Sequence, residues 1–214
     1  DMRLYKNGTV QWHIDFVKSI YSNWDDAYAA TLAKRFDIKL SQKLKGLCHG
    51  QRVKAGLLLV LARRPKLLLL DEPTTGLDPV ARREVLNELM EVLQDGDRSV
   101  LFSSHNTKDV EQLSDEITFI DKGHIIASQD RETFLDSWRR IRFQAPENFA
   151  IPNMPDIAES QMVGRLGSVT TGRFDTAMTD ALQAKGATIQ GVDHMTLEEI
   201  FVTQVLSSRT GEAA

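Results

Sequence analysis

Hydrophobic and polar positions change rhythm several times along this chain, and the sharpest change falls at Leu67–Leu70. Four consecutive leucines without polar alternation predict a strand buried on both faces, central in a parallel sheet. Burying each such side chain is worth about 1.5–3 kcal/mol before chain entropy is subtracted. The run stops on Asp71-Glu72-Pro73, and proline cannot continue the ladder. Open α/β sheets bind ligands just beyond the carboxyl ends of their strands. A rigid element therefore delivers Asp71 and Glu72 to where a phosphate ligand would sit. Two acids can also serve only to solubilise the end of an apolar strand, and the flanking sequence decides between these readings.

Upstream, Asp1–Gly8 reads as an exposed lead-in with a turn at Asn7-Gly8. Trp12, Phe16, Val17, Ile20 and Tyr21 recur at helical spacing over Val10–Ser22. Asp25 is the expected N-cap of a second helix with Tyr28, Leu32 and Phe36 on one face. The lysine-rich stretch Asp37–Gly46 reads as a loop with a short helical turn, and a helix follows from about Gln51 to Arg63. Taken alone, the first two helices form a plain packing unit that demands no chemistry.

Downstream of the leucines, Asp78-Pro79 predicts a helix start, with Asp as cap and Pro in the first turn. Val85, Leu86, Leu89, Met90 and Leu93 give that helix an apolar stripe, and Asp95-Gly96-Asp97 ends it. A strand at Ser99–Phe102 leads to Ser103-Ser104-His105, then a helix at Asp109–Leu113 and a strand at Ile117–Ile120. Asp121-Lys122-Gly123-His124 turns the chain into an antiparallel hairpin. This order predicts an α/β fold with parallel strands and helical crossovers. Asp130–Arg142 reads as a helix, and Gln144–Pro155, with three prolines, as a linker. Beyond it, Met162–Leu166 pairs with Ser168–Thr171 across Gly167, Phe174–Ala184 is helical, Thr188–Val192 is a strand, and Leu197–Val205 is a closing helix. Ser207–Ala214 reads as a frayed tail.

Composition narrows the function classes. The 214 residues are 42% hydrophobic and 26% charged, as in ordinary globular proteins, and suffice for one large domain or a domain with an appendage. A net charge of -4 gives no electrostatic case for nucleic acid. No apolar run approaches the roughly 20 residues of a membrane span, and no secretory leader is recognisable at the start. The single cysteine, Cys48, can form no internal disulfide, which fits a reducing compartment.

Four short motifs then fall in register. Leu47-Cys48-His49-Gly50-Gln51 resembles the Leu-Ser-Gly-Gly-Gln signature of the nucleotide-binding subunits of ABC transporters. Leu67–Asp71 with Glu72 resembles that family's Walker B strand and catalytic glutamate. Thr75-Gly76-Leu77-Asp78 is similar to its D-loop, and Ser103-Ser104-His105 to its switch-histidine segment. The resemblance covers about residues 10–140. The Asp25–Leu44 region and Thr196-Leu197-Glu198-Glu199-Ile200-Phe201 are similar to exporter-type members that pair with ABC-2-type permeases.

The resemblance implies the C-terminal part of a P-loop NTPase (RecA-like) parallel-sheet core, with a helical signature subdomain and a small α/β appendage. In residues, this places the helical subdomain at 1–46 with its signature helix to about 63. The second half of the core follows at 47–142, a linker at 143–159, the appendage at 160–206 and a tail at 207–214. It implies ATP with Mg²⁺. Asp71 would hold the metal through water, and Glu72 would orient or deprotonate the attacking water. His105 would sense the γ-phosphate. Cys48, His49, Gly50, Gln51, Gly76 and Asp78 would bind the nucleotide, the Cys48–Gln51 turn by presenting a helix N-terminus, and Asp78 would also touch the partner subunit. It further implies two partners, a membrane permease and a second ATP-binding subunit in a homo- or heterodimer. The location would be the cytoplasmic face of the cell membrane.

The chain departs from the family pattern in two respects. Cys48 and His49 replace the signature serine and glycine, and a thiol donates a weaker hydrogen bond than a hydroxyl. No Gly-x-x-x-x-Gly-Lys-Ser/Thr occurs, nor any Gly-Lys pair, so the nest and lysine that cradle phosphates are missing. The expectation is a piece of such a subunit lacking the first part of the core and inactive alone. A zinc site from Cys48, His49, His105 and His124 fits no structural spacing. Two other readings remain: a non-transport ABC ATPase of the DNA-repair or chromosome kind, which would carry long heptad stretches, and a non-catalytic regulatory module.

Overall fold

A computed structural model describes residues 4–94 and 96–211. Contacts divide the chain into two units, Asp1–Asp109 and Val110–Ala214. The first unit opens with α1 (Val10–Ile20) and α2 (Asp26–Arg35), each started by a side chain that accepts an otherwise orphaned N–H. Thr9 Oγ1 accepts from Trp12 N, and Asp25 Oδ1 accepts from Tyr28 N. Leu32 and Phe36 are buried as their spacing predicts, but α1 differs from expectation. Its buried residues are Val10, His13 and Ile14, while Trp12, Phe16, Ile20 and Tyr21 are exposed. The aromatic stripe is therefore the outer face of α1, with Trp12 and Phe16 stacked at 5.6 Å.

A short 3-10 turn at Leu44–Gly46 precedes α3 (His49–Leu61), after which β1 (Leu67–Asp71), α4 (Pro79–Leu93) and β2 (Ser99–Ser103) form a strand–helix–strand unit. β1 and β2 run parallel, in register from Leu67↔Ser99 to Asp71↔Ser103. The leucine run is not buried on both faces: Leu68 is 3% exposed, but Leu67 is 57% and Leu69 is 66% exposed. Side chains alternate across a strand, and the described residues cover one face of this two-stranded pair only. Buried Glu88 on α4 accepts from Tyr28 Oη at 2.7 Å and from Arg35 at 3.0 Å, tying α2 to α4. Burial first, and then this hydrogen bond, push the Tyr28 phenol far above its ordinary range. Of the expected helix stop at 95–97, Asp95 lies outside the described residues, and Gly96 takes the left-handed conformation (φ 64°).

The division between units falls within α5 (Thr107–Leu113). In the second unit β3 (Glu116–Asp121) and β4 (His124–Asp130) form the expected antiparallel hairpin. Asp130 caps α6 (Arg131–Ser137), but that helix does not run to Arg142. Trp138 is extended, and Arg139–Gln144 is β5, bonded on one side to β7 (Leu166–Thr171) and on the other to β8 (Thr188–His194). Two ladders and the alternating burial of Ile141 and Phe143 outweigh the local helical pattern. β6 (Ile157–Val163) completes a sheet of order β6-β7-β5-β8.

The expected linker at 143–159 is thus part of a domain. Phe143 and Met154 are buried in the core with Val169, Met178 and Leu182, and Phe149 and Ile151 pack against it. The β6–β7 turn lies at Gly164 (φ 60°) and Arg165, not at Gly167. Gly167 sits inside β7 opposite Phe143, where an added Cβ would lie 2.3 Å from the phenyl ring. Asp175 caps α7 (Thr176–Ala184), and α8 (Leu197–Gly211) continues through Ser207, so the tail does not fray there. Residues 212–214 of the expected tail lie outside the described residues.

Overpacking typically costs about 1–3 kcal/mol, and Phe143 cannot move without disturbing β5. Gly167→Ala is expected to cost about 2 kcal/mol in denaturant unfolding of the second unit. Gly164→Ala, by contrast, meets no atom within 4 Å and carries only the strain of its positive φ.

Candidate functional site

The parallel register sets Asp71 beside Ser103, and the ends of β1 and β2 together carry the chemistry. Ser103 Oγ donates to Asp71 Oδ1 at 2.5 Å. The next residue, Glu72, adopts φ 48°, a left-handed conformation that a side chain with a Cβ takes at a cost of about 1–2 kcal/mol. Its N–H donates to Ser103 O at 3.1 Å, anchoring the turn against β2. This twist brings the Glu72 carboxylate to three donors. Oε1 accepts from the His105 N–H at 2.9 Å, and Oε2 accepts from Thr75 Oγ1 at 2.7 Å. His105 Nδ1 also lies 2.8 Å from Oε2, so that nitrogen carries the shared proton. Burial pushes the Glu72 carboxyl up, but the hydrogen bonds from Thr75 and His105 together outweigh it and hold the group below its usual range.

The loop after β1 is fixed from beneath. Buried Thr74 donates to Asp109 Oδ2 at 2.6 Å, and Arg82 donates to Asp109 Oδ1 through Nε at 2.8 Å and Nη2 at 2.6 Å. Asp109 is 1% exposed, so loop, α4 and α5 meet on one desolvated carboxylate. The sequence singled out neither Asp109 nor Arg82. They lie 27 positions apart, and no local spacing joins them.

Cys48 is the exposed N-cap of α3, and its N–H donates to Gln51 Oε1 at 3.2 Å. Gln51 thus folds back on the turn that it follows. His49 Nε2 lies 3.1 Å from the Thr75 carbonyl oxygen and its ring lies against Gly76, whose φ is 72°. A Cβ at Gly50 would touch Ala81 and Leu77, so α3 starts hard against the loop that starts α4. Asp78 accepts from the N–H groups of Val80 and Ala81 at 2.9 and 3.0 Å, and these bonds, the Ala81 one foremost, lower its carboxyl. Among the sequence-predicted residues, Asp71, Glu72, Gly76, His105 and His49 are joined by short contacts. Asp78 caps its own helix, and Cys48 and Gln51 cap theirs.

No described group of three His, Cys, Asp or Glu side chains converges on a point. Asp71 offers one carboxylate, which fits Mg²⁺ only where phosphate and water complete the shell, the usual mode for this ion. The donor set suits the metal and γ-phosphate edge of a nucleotide site and no free-standing metal centre.

Residues 3–75 match the family described as ABC transporter, and residues 49–108 match one described as AAA domain, putative AbiEii toxin, Type IV TA system. The chain is 28% identical over 204 residues to the ABC transporter ATP-binding protein YtrB of Bacillus subtilis, covering 94% of this chain and 69% of YtrB. It is 36% identical over 104 residues to the energy-coupling factor transporter ATP-binding protein EcfA2 of Caldanaerobacter subterraneus, covering 47% of this chain and 36% of EcfA2. Over the matched residues the chain is thus similar to ABC transporter ATP-binding proteins. A solved ATP-binding subunit of an ABC transporter shares the fold with a TM-score of 0.53 at 22% identity, over 63% of this chain and 57% of that one. The α/β architecture with parallel strands is thus a fold shared with that subunit, as the motifs led us to expect.

The Asp109 network yields a direct test. Arg82→Ala leaves Asp109 buried with only Thr74 as its partner, and loss of one partner of a buried ion pair typically costs about 3–5 kcal/mol. A shift in the denaturant midpoint corresponding to about 3 kcal/mol is expected, with an unchanged slope.

Proposed function

We propose that this chain supplies the water-activating and phosphate-sensing part of an ATP-hydrolysing site in a transporter subunit. The observation that carries the reading is the contact between Glu72 and His105 at the ends of two parallel strands, beside Asp71. ATP hydrolysis requires a positioned water and donors for charge developing on the γ-phosphoryl group. Bound Mg²⁺ would neutralise phosphate charge, and Asp71 is the residue that would hold it. Glu72 orients the attacking water and takes its proton. His105, largely exposed and hinged on the last residues of β2, hydrogen-bonds the γ-phosphate. The Cys48–Gln51 turn presents the N-terminus of α3 to the nucleotide of a second ATP-binding subunit, with His49 and Gly50 in the first turn. Gly76 and Asp78 lie at that subunit contact.

The helical region from Val10 to Gly46 is the surface for an integral-membrane permease. In support, Trp12, Phe16, Ile20 and Tyr21 are exposed on α1, an apolar stripe that a lone soluble helix would not present. The subunit works peripherally at the cytoplasmic face of the membrane, in an exporter of the ABC-2-associated kind, and none of the described helices is long and apolar enough to cross a membrane. A DNA-repair or chromosome ATPase would need long coiled-coil helices, whereas the longest described helices have 15 residues. A non-catalytic module would have no need for the three-donor hold on Glu72.

Two measurements check this reading. In a subunit with a complete nucleotide site, Glu72→Gln is expected to retain ATP binding and lose turnover by about 10²–10⁴-fold. Wild-type-like hydrolysis would remove Glu72 from the role of base. This chain by itself has no Gly-Lys phosphate cradle, so calorimetry with Mg-ATP should detect no micromolar site, which would correspond to about -8 kcal/mol.

A further inference from the structure

We propose that His49 and Thr75 are positioning residues for Glu72, forming a relay by which the Cys48–Gln51 turn sets the catalytic carboxylate of its own chain. The connection is continuous and short. His49 Nε2 donates to the Thr75 carbonyl at 3.1 Å, and the Thr75 hydroxyl donates to Glu72 Oε2 at 2.7 Å. Glu72 Oε1 then accepts from the His105 N–H at 2.9 Å. A carbonyl can only accept, so the His49 proton must lie on Nε2. The imidazole ring also fills the space over Gly76, where a Cβ would meet Nε2 at 3.3 Å. The two restraints hold the 75–76 peptide from one side through the His49 ring and from the other through the Thr75 side chain.

Thr75 is well suited to this position. It lies three residues after Glu72, and its N–H donates to the Glu72 carbonyl at 3.3 Å, closing a turn that points its hydroxyl back at the carboxylate. The backbone of Glu72 is strained at φ 48° and its side chain is partly exposed, so its carboxylate is held by the Thr75 hydroxyl together with the N–H and Nδ1 of His105. Charge-assisted hydrogen bonds of this kind are stronger than neutral ones, so the hydroxyl shares with His105 the task of fixing the rotamer of the carboxylate. Loss of the imidazole frees the peptide that carries the hydroxyl. A disturbance of the signature turn therefore reaches Glu72 without passing through solvent.

The relay rests on Glu72 as the water-handling group, but its test does not. Amide hydrogen exchange of this chain, read by NMR at His105, reports whether Glu72 is held, because that N–H donates to Glu72 Oε1. Thr75→Val is expected to speed His105 exchange by about five- to tenfold, the loss of one hydrogen bond's protection. Thr75→Ser should restore it, and His49→Gly should speed it while His49→Gln retains part of the protection. Amides of α4 serve as the control for global stability and should not change. In a subunit with a complete nucleotide site, Thr75→Val should lower kcat and leave KM unchanged. Unchanged His105 exchange in Thr75→Val, no rescue by serine, or unchanged kcat would overturn the proposal. Normal hydrolysis by Glu72→Gln, alongside faster exchange in Thr75→Val, would sink the catalytic reading of Glu72 and leave the structural relay standing.

Discussion

The parallel pairing of β1 with β2, in the register that sets Asp71 opposite Ser103, is the constraint on which the site depends. A shift by one residue would turn every side chain to the opposite face. It would also separate Glu72 from the Ser103 carbonyl that anchors its strained turn. Because β1 stops at Asp71 and β2 at Ser103, the chain after each strand is free to bend toward the other. Glu72 and His105 meet there as a result of strand length and register rather than of proximity in sequence.

Several weaker interactions keep that junction from relaxing. A left-handed glutamate is unfavourable by itself, yet its N–H, both carboxylate oxygens and the following loop are all engaged. The loop is pinned beneath by the buried Thr74–Asp109–Arg82 cluster and flanked by the start of α3 through His49. Buried carboxylates are costly unless fully partnered, so Asp109 tolerates few arrangements of its neighbours. Exposed ion pairs elsewhere, such as Arg142 with Asp193, contribute little to stability by comparison.

What was legible in the sequence was mainly local. Caps at Asp25 and Asp78 declare their helices because a side-chain oxygen satisfies orphaned N–H groups of the first turn. The four motifs fell in order along the chain, and five of the candidate site residues in them, Asp71, Glu72, Gly76, His105 and His49, meet in one cluster. What failed depended on partners far away. The Trp12–Phe16 stripe has helical spacing, but spacing cannot say which face meets the core, and Val10, His13 and Ile14 are inside instead. Arg139–Arg142 looked helical until β7 and β8 supplied ladders on both sides. Prolines near Phe149 and Ile151 suggested a linker, although those side chains pack on a core formed by β5, β7 and α7. Asp109 gave no signal, since its burial comes from residues on two other elements.

The central claim is that Asp71, Glu72 and His105 surround the γ-phosphate and its attacking water. A crystal structure of a complete, hydrolysis-deficient subunit with Mg-ATP tests it most directly. The account predicts Asp71 within one water of the metal, the side chain at position 72 within hydrogen-bonding reach of a water in line with the γ-phosphate, and the His105 ring on a γ-phosphate oxygen. Nucleotide bound with these three side chains turned away from the γ-phosphate would contradict it.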